Sequence, residues 1–116
     1  MRTNNFTWTP IYEVVSGQVL LSRRLEFFKL HGDVLLPMMD VVGIRPVLLL
    51  FTEVGRYGRF TNIYRYEDLA DYATKTEGLL SNPRMEDYYR HIGETIHGSI
   101  LVELMRELPY ARKLQP

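Results

Sequence analysis

The stretch Pro46-Val47-Leu48-Leu49-Leu50-Phe51-Thr52-Glu53-Val54-Gly55-Arg56-Tyr57-Gly58-Arg59-Phe60-Thr61-Asn62-Ile63-Tyr64-Arg65-Tyr66 decides the fold. Val47 to Phe51 is apolar without polar alternation, the pattern of a buried strand, here over residues 44–53. Pro46 has no N–H to give to a ladder, which places it at an edge or at the strand's beginning. Gly55 and Gly58 mark a turn. From Arg59 to Tyr66 the chain alternates: Phe60, Asn62, Tyr64 and Tyr66 share one face, and Arg59, Thr61, Ile63 and Arg65 the other. Two strands joined by a short glycine-containing turn make a hairpin.

Upstream, Ile11 to Val15 is rich in β-branched and aromatic residues and reads as a strand that Ser16-Gly17 stops. The period then changes. Leu21, Leu25, Phe28, Gly32, Leu35 and Met39 are spaced by fours and threes, one stripe of a helix. Pro37 is expected to kink or restart it, and Val42-Gly43 to end it. Downstream, Glu67 and Asp68 suit a helix N-terminus, with Leu69, Tyr72, Ala73 and Thr76 on its apolar side. Ser81-Asn82-Pro83 starts another helix, which Met85, Tyr88, Tyr89 and Ile92 anchor. After a break over 93–98, a last strand over 99–108 alternates Ile100, Val102 and Leu104 with Leu101, Glu103 and Met105. The order βαββαβ predicts an α+β domain of the ferredoxin-like kind, an antiparallel sheet with helices on one face, over residues 11–108. Residues 1–10 are read as a lead-in and 109–116 as a tail. The sheet's other face needs cover, and a second copy of the chain is the simplest supplier.

Bulk properties narrow the classes. A chain of 116 residues is one domain's worth. Fourteen basic residues balance fourteen acidic ones, so there is no basic footprint for nucleic acid or an anionic membrane. With no cysteine, disulfides, thiolate nucleophiles and Cys-type metal sites are out. No apolar run approaches a membrane span, and the first eight residues lack a signal-like apolar core, so a cytoplasmic protein is expected.

Phe51-Thr52-Glu53-Val54-Gly55, followed by Asn62-Ile63-Tyr64-Arg65-Tyr66-Glu67-Asp68-Leu69-Ala70, resembles the hairpin and helix start of NIPSNAP-like proteins. Ile11-Tyr12-Glu13 resembles their Tyr-Glu opening, and Leu80-Ser81-Asn82-Pro83 their loop before the third helix. The likeness runs over residues 11–106. Tyr64 stands where a Trp is common, and Met85 falls near another expected Trp. The resemblance implies a dimeric α/β barrel with a cavity between each sheet and its helices. The wider superfamily contains cofactor-free monooxygenases, haem-degrading enzymes, isomerases and cyclases, so the fold alone names no reaction.

Candidate chemistry rests on a few residues. His31, beside Gly32, is a candidate general base, the glycine leaving room for a close approach. His91 and His97 are weaker candidates, and no two histidines have metal-ligand spacing. Tyr12, Tyr64, Tyr66 and Tyr72 are expected to border the cavity with Phe28 and Asn62. There their hydroxyls would donate to a carbonyl or enolate and their rings stack on an aromatic ligand. The plainer reading of most of them is packing. Glu13 and Glu53 on strands are candidate bases with raised pKa, or else partners of Arg59, Arg65 or Arg106 in salt bridges at a dimer seam. The residues expected to act are His31, Tyr64 and Glu53, with Tyr12, Phe28, Asn62, Tyr66 and Tyr72 binding substrate. Neither metal nor cofactor is expected. Two functions stay open: a cofactor-independent enzyme using acid/base chemistry on a hydrophobic, aromatic or polyketide-like molecule, and a non-catalytic ligand-binding or interaction module. Haem binding is a third, weaker reading.

Overall fold

The computed structural model describes residues 10–111. Most of the predicted lead-in and tail therefore lies outside the described residues. The elements are β1 (Ile11–Val19), α1 (Arg24–Leu30), α2 (Leu36–Val41), β2 (Pro46–Phe51), β3 (Arg59–Tyr66), α3 (Leu69–Leu80), α4 (Met85–Gly93) and β4 (Ile96–Arg106). They form a ferredoxin-like β-α-β-β-α-β arrangement around a four-stranded antiparallel sheet of order β2-β3-β1-β4.

The hairpin holds as read. β3 covers Arg59–Tyr66, and Phe60, Asn62, Tyr64 and Tyr66 are all buried on the helix side. Val15, Glu13 and Ile11 of β1 lie opposite Asn62, Tyr64 and Tyr66 and share that side. β2 differs from expectation. It sits at the sheet's edge with Val47, Leu48, Leu49 and Leu50 each between 41% and 49% exposed, so its unbroken apolar run is not a buried central strand. Two further boundaries move. β1 runs through Ser16-Gly17 to Val19. Gly17 is there because the Phe60 ring lies over it: a Cβ would sit 2.9 Å from the ring's Cε2 atom. β4 begins at Ile96, three residues earlier than the alternation suggested.

The first helical region is where periodicity misleads most. Phe27, Met38 and Met39 are buried, while Leu21, Leu25 and Phe28 are 50%, 69% and 43% exposed. The cause is a wide π turn over His31–Leu35, in which the Leu36 N–H donates to the carbonyl of His31 five residues back. Pro37 follows directly, in the first turn of α2. It has no N–H to donate, and in a regular α-helix its ring would press on the carbonyl four residues earlier. The wide turn relieves that clash and rotates everything after it, so a single stripe of threes and fours cannot fit both halves. Gly32 is exposed with open space about it, and no strand among the described residues packs against it. α3 begins as read: Asp68 caps it by accepting from the Asp71 N–H at 2.7 Å.

Candidate functional site

Between the sheet and the helices lies a cavity of about 320 Å3. β1, β3 and β4 supply its floor, α1 and the π turn one wall, and α3 and α4 the other. Most of the lining is apolar, including Phe27, Met39, Phe60, Leu79, Met85 and Ile92. Two polar groups interrupt it.

The first group centres on His31. Its Nε2 lies 3.2 Å from the Tyr64 hydroxyl and 3.3 Å from Asn62 Nδ2. With the amide nitrogen facing it, Nε2 accepts, and the ring proton belongs on Nδ1. The Tyr64 O–H donates to the same lone pair. Two donors sharing one acceptor at the long end of the hydrogen-bonding range are loosely held, and either can swing to a ligand oxygen. Phe27, one helical turn earlier, stacks parallel to the imidazole with centroids 5.8 Å apart and fixes its plane. Burial lowers the pKa of His31 and keeps it neutral. Burial also raises Tyr64 well above the ordinary phenol value, aided by the charge of Glu13, so Tyr64 keeps its proton.

The second group centres on Glu13. The Tyr66 hydroxyl donates to Glu13 Oε1 at 3.0 Å, and the Tyr72 hydroxyl lies close enough to this carboxylate to favour its charged form. Burial raises the pKa of Glu13, and the two hydroxyls partly counter the shift. Tyr66 is pushed far up by burial, then by the neighbouring carboxylate charge. Its ring meets that of Tyr72 edge to face at 5.0 Å.

Of the residues singled out from sequence, His31, Asn62, Tyr64, Tyr66 and Tyr72 come together in this cavity. Three do not. Glu53 lies beyond the end of β2, exposed in the turn, because the strand stops at Phe51. Tyr12 points to the opposite sheet face, since it alternates with Glu13, and its hydroxyl donates to Glu107 at 2.9 Å. Phe28 is 43% exposed and packs edge to face on Phe51, while its neighbour Phe27 takes the cavity position. The carboxylate that does line the cavity is Glu13, and its partners are tyrosines instead of the arginines expected at a seam. His91 and His97 are exposed. The walls from α3 and α4, among them Thr76, Leu79 and Tyr88, were not singled out as site residues. Only the i, i+3 and i+4 spacing around Tyr72 and Met85 signalled them.

Fold and site together define a single-sheet ferredoxin-like α+β domain with a helix-covered, mostly apolar cavity. The NIPSNAP family model matches residues 12–111, and the chain belongs to that family. A NIPSNAP family protein of unknown function from Agrobacterium tumefaciens superposes with a TM-score of 0.77 at 18% identity, covering 90% of this chain and 93% of that one. A NIPSNAP-like domain protein from Burkholderia xenovorans gives 0.75 at 19% identity, with 88% of each chain covered. A Caulobacter crescentus protein proposed to be an antibiotic biosynthesis monooxygenase gives 0.69 at 14% identity, over 89% of this chain and 93% of that one. At these identities the likeness is one of fold. The search of curated proteins gives no match. No helix among the described residues is long and apolar enough to cross a membrane.

Proposed function

We propose that this protein is a small-molecule enzyme that binds a hydrophobic, aromatic or polyketide-like substrate in the sheet–helix cavity and removes a proton from it. The observation that carries this reading is the convergence of His31, Asn62 and Tyr64 inside an apolar cavity. A neutral imidazole whose accepting nitrogen faces the cavity is a base. In the proposed step a C–H bond next to a carbonyl breaks, and the proton passes to His31 Nε2. The electron pair delocalises onto the carbonyl oxygen. Tyr64 and Asn62 turn from the imidazole to that oxygen and stabilise the enolate with two hydrogen bonds. Reprotonation elsewhere on the substrate gives isomerisation, and attack on a second carbonyl gives cyclisation. Capture of dioxygen gives oxygenation, the activity proposed for the Caulobacter crescentus protein of similar fold. None of these steps calls on a cofactor.

The working unit in this reading is a homodimer joined through the sheet face away from the helices. Leu48 and Leu50 of β2 and Leu101 and Met105 of β4 lie on that face, each 45% to 50% exposed, flanking Val14 and Ile63. Glu103, Ser16 and Thr61 interrupt the face, but a group of half-exposed large apolar side chains on one sheet face is the kind of surface that marks an interface. A cytoplasmic setting fits a chain stabilised without a single cysteine.

Hydrogen–deuterium exchange tests the chemistry directly. Carbon acids of the 1,3-dicarbonyl and hydroxylated aromatic classes are incubated with the protein in D2O and followed by NMR. Protein-accelerated exchange that falls about 100-fold in His31→Ala is the expected result. Ligands that bind without accelerated exchange would instead favour a non-catalytic binding module.

A further inference from the structure

Resting on that reading of the cavity, we infer that the ligand carries a hydrogen-bond-donating head, a hydroxyl or a protonated amine, that seats on Glu13, and that the site rejects carboxylates and phosphates.

The two polar groups of the cavity differ in what they offer. Around His31, Tyr64 and Asn62 present donors. Around Glu13 the protons are already committed. Tyr66 spends its hydroxyl hydrogen on the carboxylate, and the Tyr72 hydroxyl lies between the carboxylate and Thr76 and interacts with both. A carboxylate has about four lone-pair directions, and these two hydroxyls leave part of that capacity unfilled. The Tyr66 oxygen keeps acceptor capacity as well. Facing the cavity, this end therefore offers acceptors. A ligand hydroxyl or ammonium completes it, whereas a ligand carboxylate meets like charge and no donor.

Charge points the same way. No Lys or Arg is among the described lining residues, so no cation there balances an anion's charge. Glu13 makes no ion pair among the described residues, and the walls around it are phenols and apolar chains. An aromatic surround with one carboxylate suits a cation, through ring faces as well as the charge pair. It suits a neutral hydroxyl too, at lower desolvation cost.

The two ends also set an orientation. Glu13 stands opposite Tyr64 in the ladder, and Asn62 is one inward-facing position along β3 from Tyr64. That step is about 7 Å along the strand. A ligand with both an oxygen acceptor and a donor is therefore oriented, its acceptor toward Asn62 and His31 and its donor toward Glu13.

The test uses three probes of one shape: 2-naphthylmethanol, 2-naphthylmethylamine and 2-naphthoate, titrated calorimetrically into the full-length protein at pH 7. The alcohol or the ammonium is expected to bind at least about tenfold more tightly than the carboxylate. Whichever of the two binds more tightly identifies the head. In Glu13→Gln the naphthoate affinity rises and the ammonium affinity falls, so the gap closes. Should that variant not fold, Tyr66→Phe serves instead. It leaves the carboxylate with one donor fewer, and preference for the ammonium over naphthoate is expected to persist or widen. Naphthoate binding as tightly as the other probes would overturn the inference while leaving the cavity reading intact, and so would a gap unchanged in Glu13→Gln. Failure of all three to bind would overturn the ligand-cavity reading itself, and the inference with it.

Discussion

The Tyr64 hydroxyl lies 3.2 Å from His31 Nε2, joining the second inner strand to the first helical region across the cavity. His31 closes α1 and opens the π turn, so the residues beyond it face other directions than a continuous α-helix would give them. Long-range 1H–15N NMR of the histidines is expected to show His31 as the Nδ1–H tautomer, with Nε2 unprotonated at neutral pH. Tyr64→Phe removes one donor and leaves Asn62 as the remaining partner. The tautomer is then retained, while proton exchange on a bound carbon acid slows by about 10- to 100-fold. An Nε2–H tautomer in the wild-type protein would remove His31 from the role of base.

Stability should depend on pH in two opposed ways. Burial lowers the pKa of His31, so below its ordinary 6.5 the unfolded chain takes up a proton that the native state resists. The His31 contribution to stability is therefore present above 6.5 and lost as pH falls through the folded-state value. Glu13 has a raised pKa, so the native state holds its proton where the unfolded chain has already released it. Its ionisation costs stability as pH rises from 4.5 through the folded-state value. The groups facing Glu13 are Tyr64, Tyr66, Tyr72 and Tyr89, all with raised pKa values and all neutral over this range. Melting temperatures between pH 4 and 8 check both signs: His31→Asn flattens the acid-side loss, and Glu13→Gln removes the alkaline-side penalty.

Gly17, which after Ser16 suggests the end of a strand, is instead a packing position within β1. Gly17→Ala places a methyl 2.9 Å from the Phe60 ring, which is itself buried against Phe27. The ring cannot retreat without disturbing its other neighbours. Such overpacking costs about 1–3 kcal/mol. Chemical denaturation measures it, and Phe60→Leu is expected to recover part of the loss in the double variant while costing stability alone.

How much of this was legible in the sequence follows from which forces act locally. Strand alternation is set by the two-residue pleat, so Phe60, Asn62, Tyr64 and Tyr66 announced a shared face, and that face is the cavity floor. Asp68 capping α3 is likewise a local event. Strand order is not local: nothing in Val47 to Phe51 says that β2 will lie at the edge, because its neighbours are fixed by the whole topology. That Phe27 and Met39 share the core side, so that a stripe drawn through Phe28 fails, follows from a π turn between them, next to Pro37. Glu13 could not be separated from Glu53 by residue type. What separates them is a strand ending two residues before Glu53, together with two tyrosine hydroxyls brought to Glu13 from β3 and α3.

The sheet face away from the helices carries the last prediction. Leu50 and Leu101 occupy one row across it, with Thr61 and Ser16 between them by the strand register. Each leucine is about half exposed in the single chain, Leu50 at 48% and Leu101 at 50%. If a second copy covers this face, both side chains lose that exposure, and each contributes roughly 1–2 kcal/mol to association. The Arg59 guanidinium reaches into this row and donates to Ser16 Oγ at 3.1 Å, so it partly offsets one carboxylate placed there but not the cost of burying that charge at a seam. Leu101→Glu brings two like charges toward a two-fold seam when both copies carry it. Sedimentation velocity on the wild-type protein is expected to give a dimer, and Leu50→Glu and Leu101→Glu are expected to give monomers. Both substitutions lie outside the cavity, so probe binding should fall only as far as the cavity walls depend on the partner sheet. A monomeric wild-type protein would remove the dimer from the proposed function. A dimer that survives both substitutions would move its interface to another face.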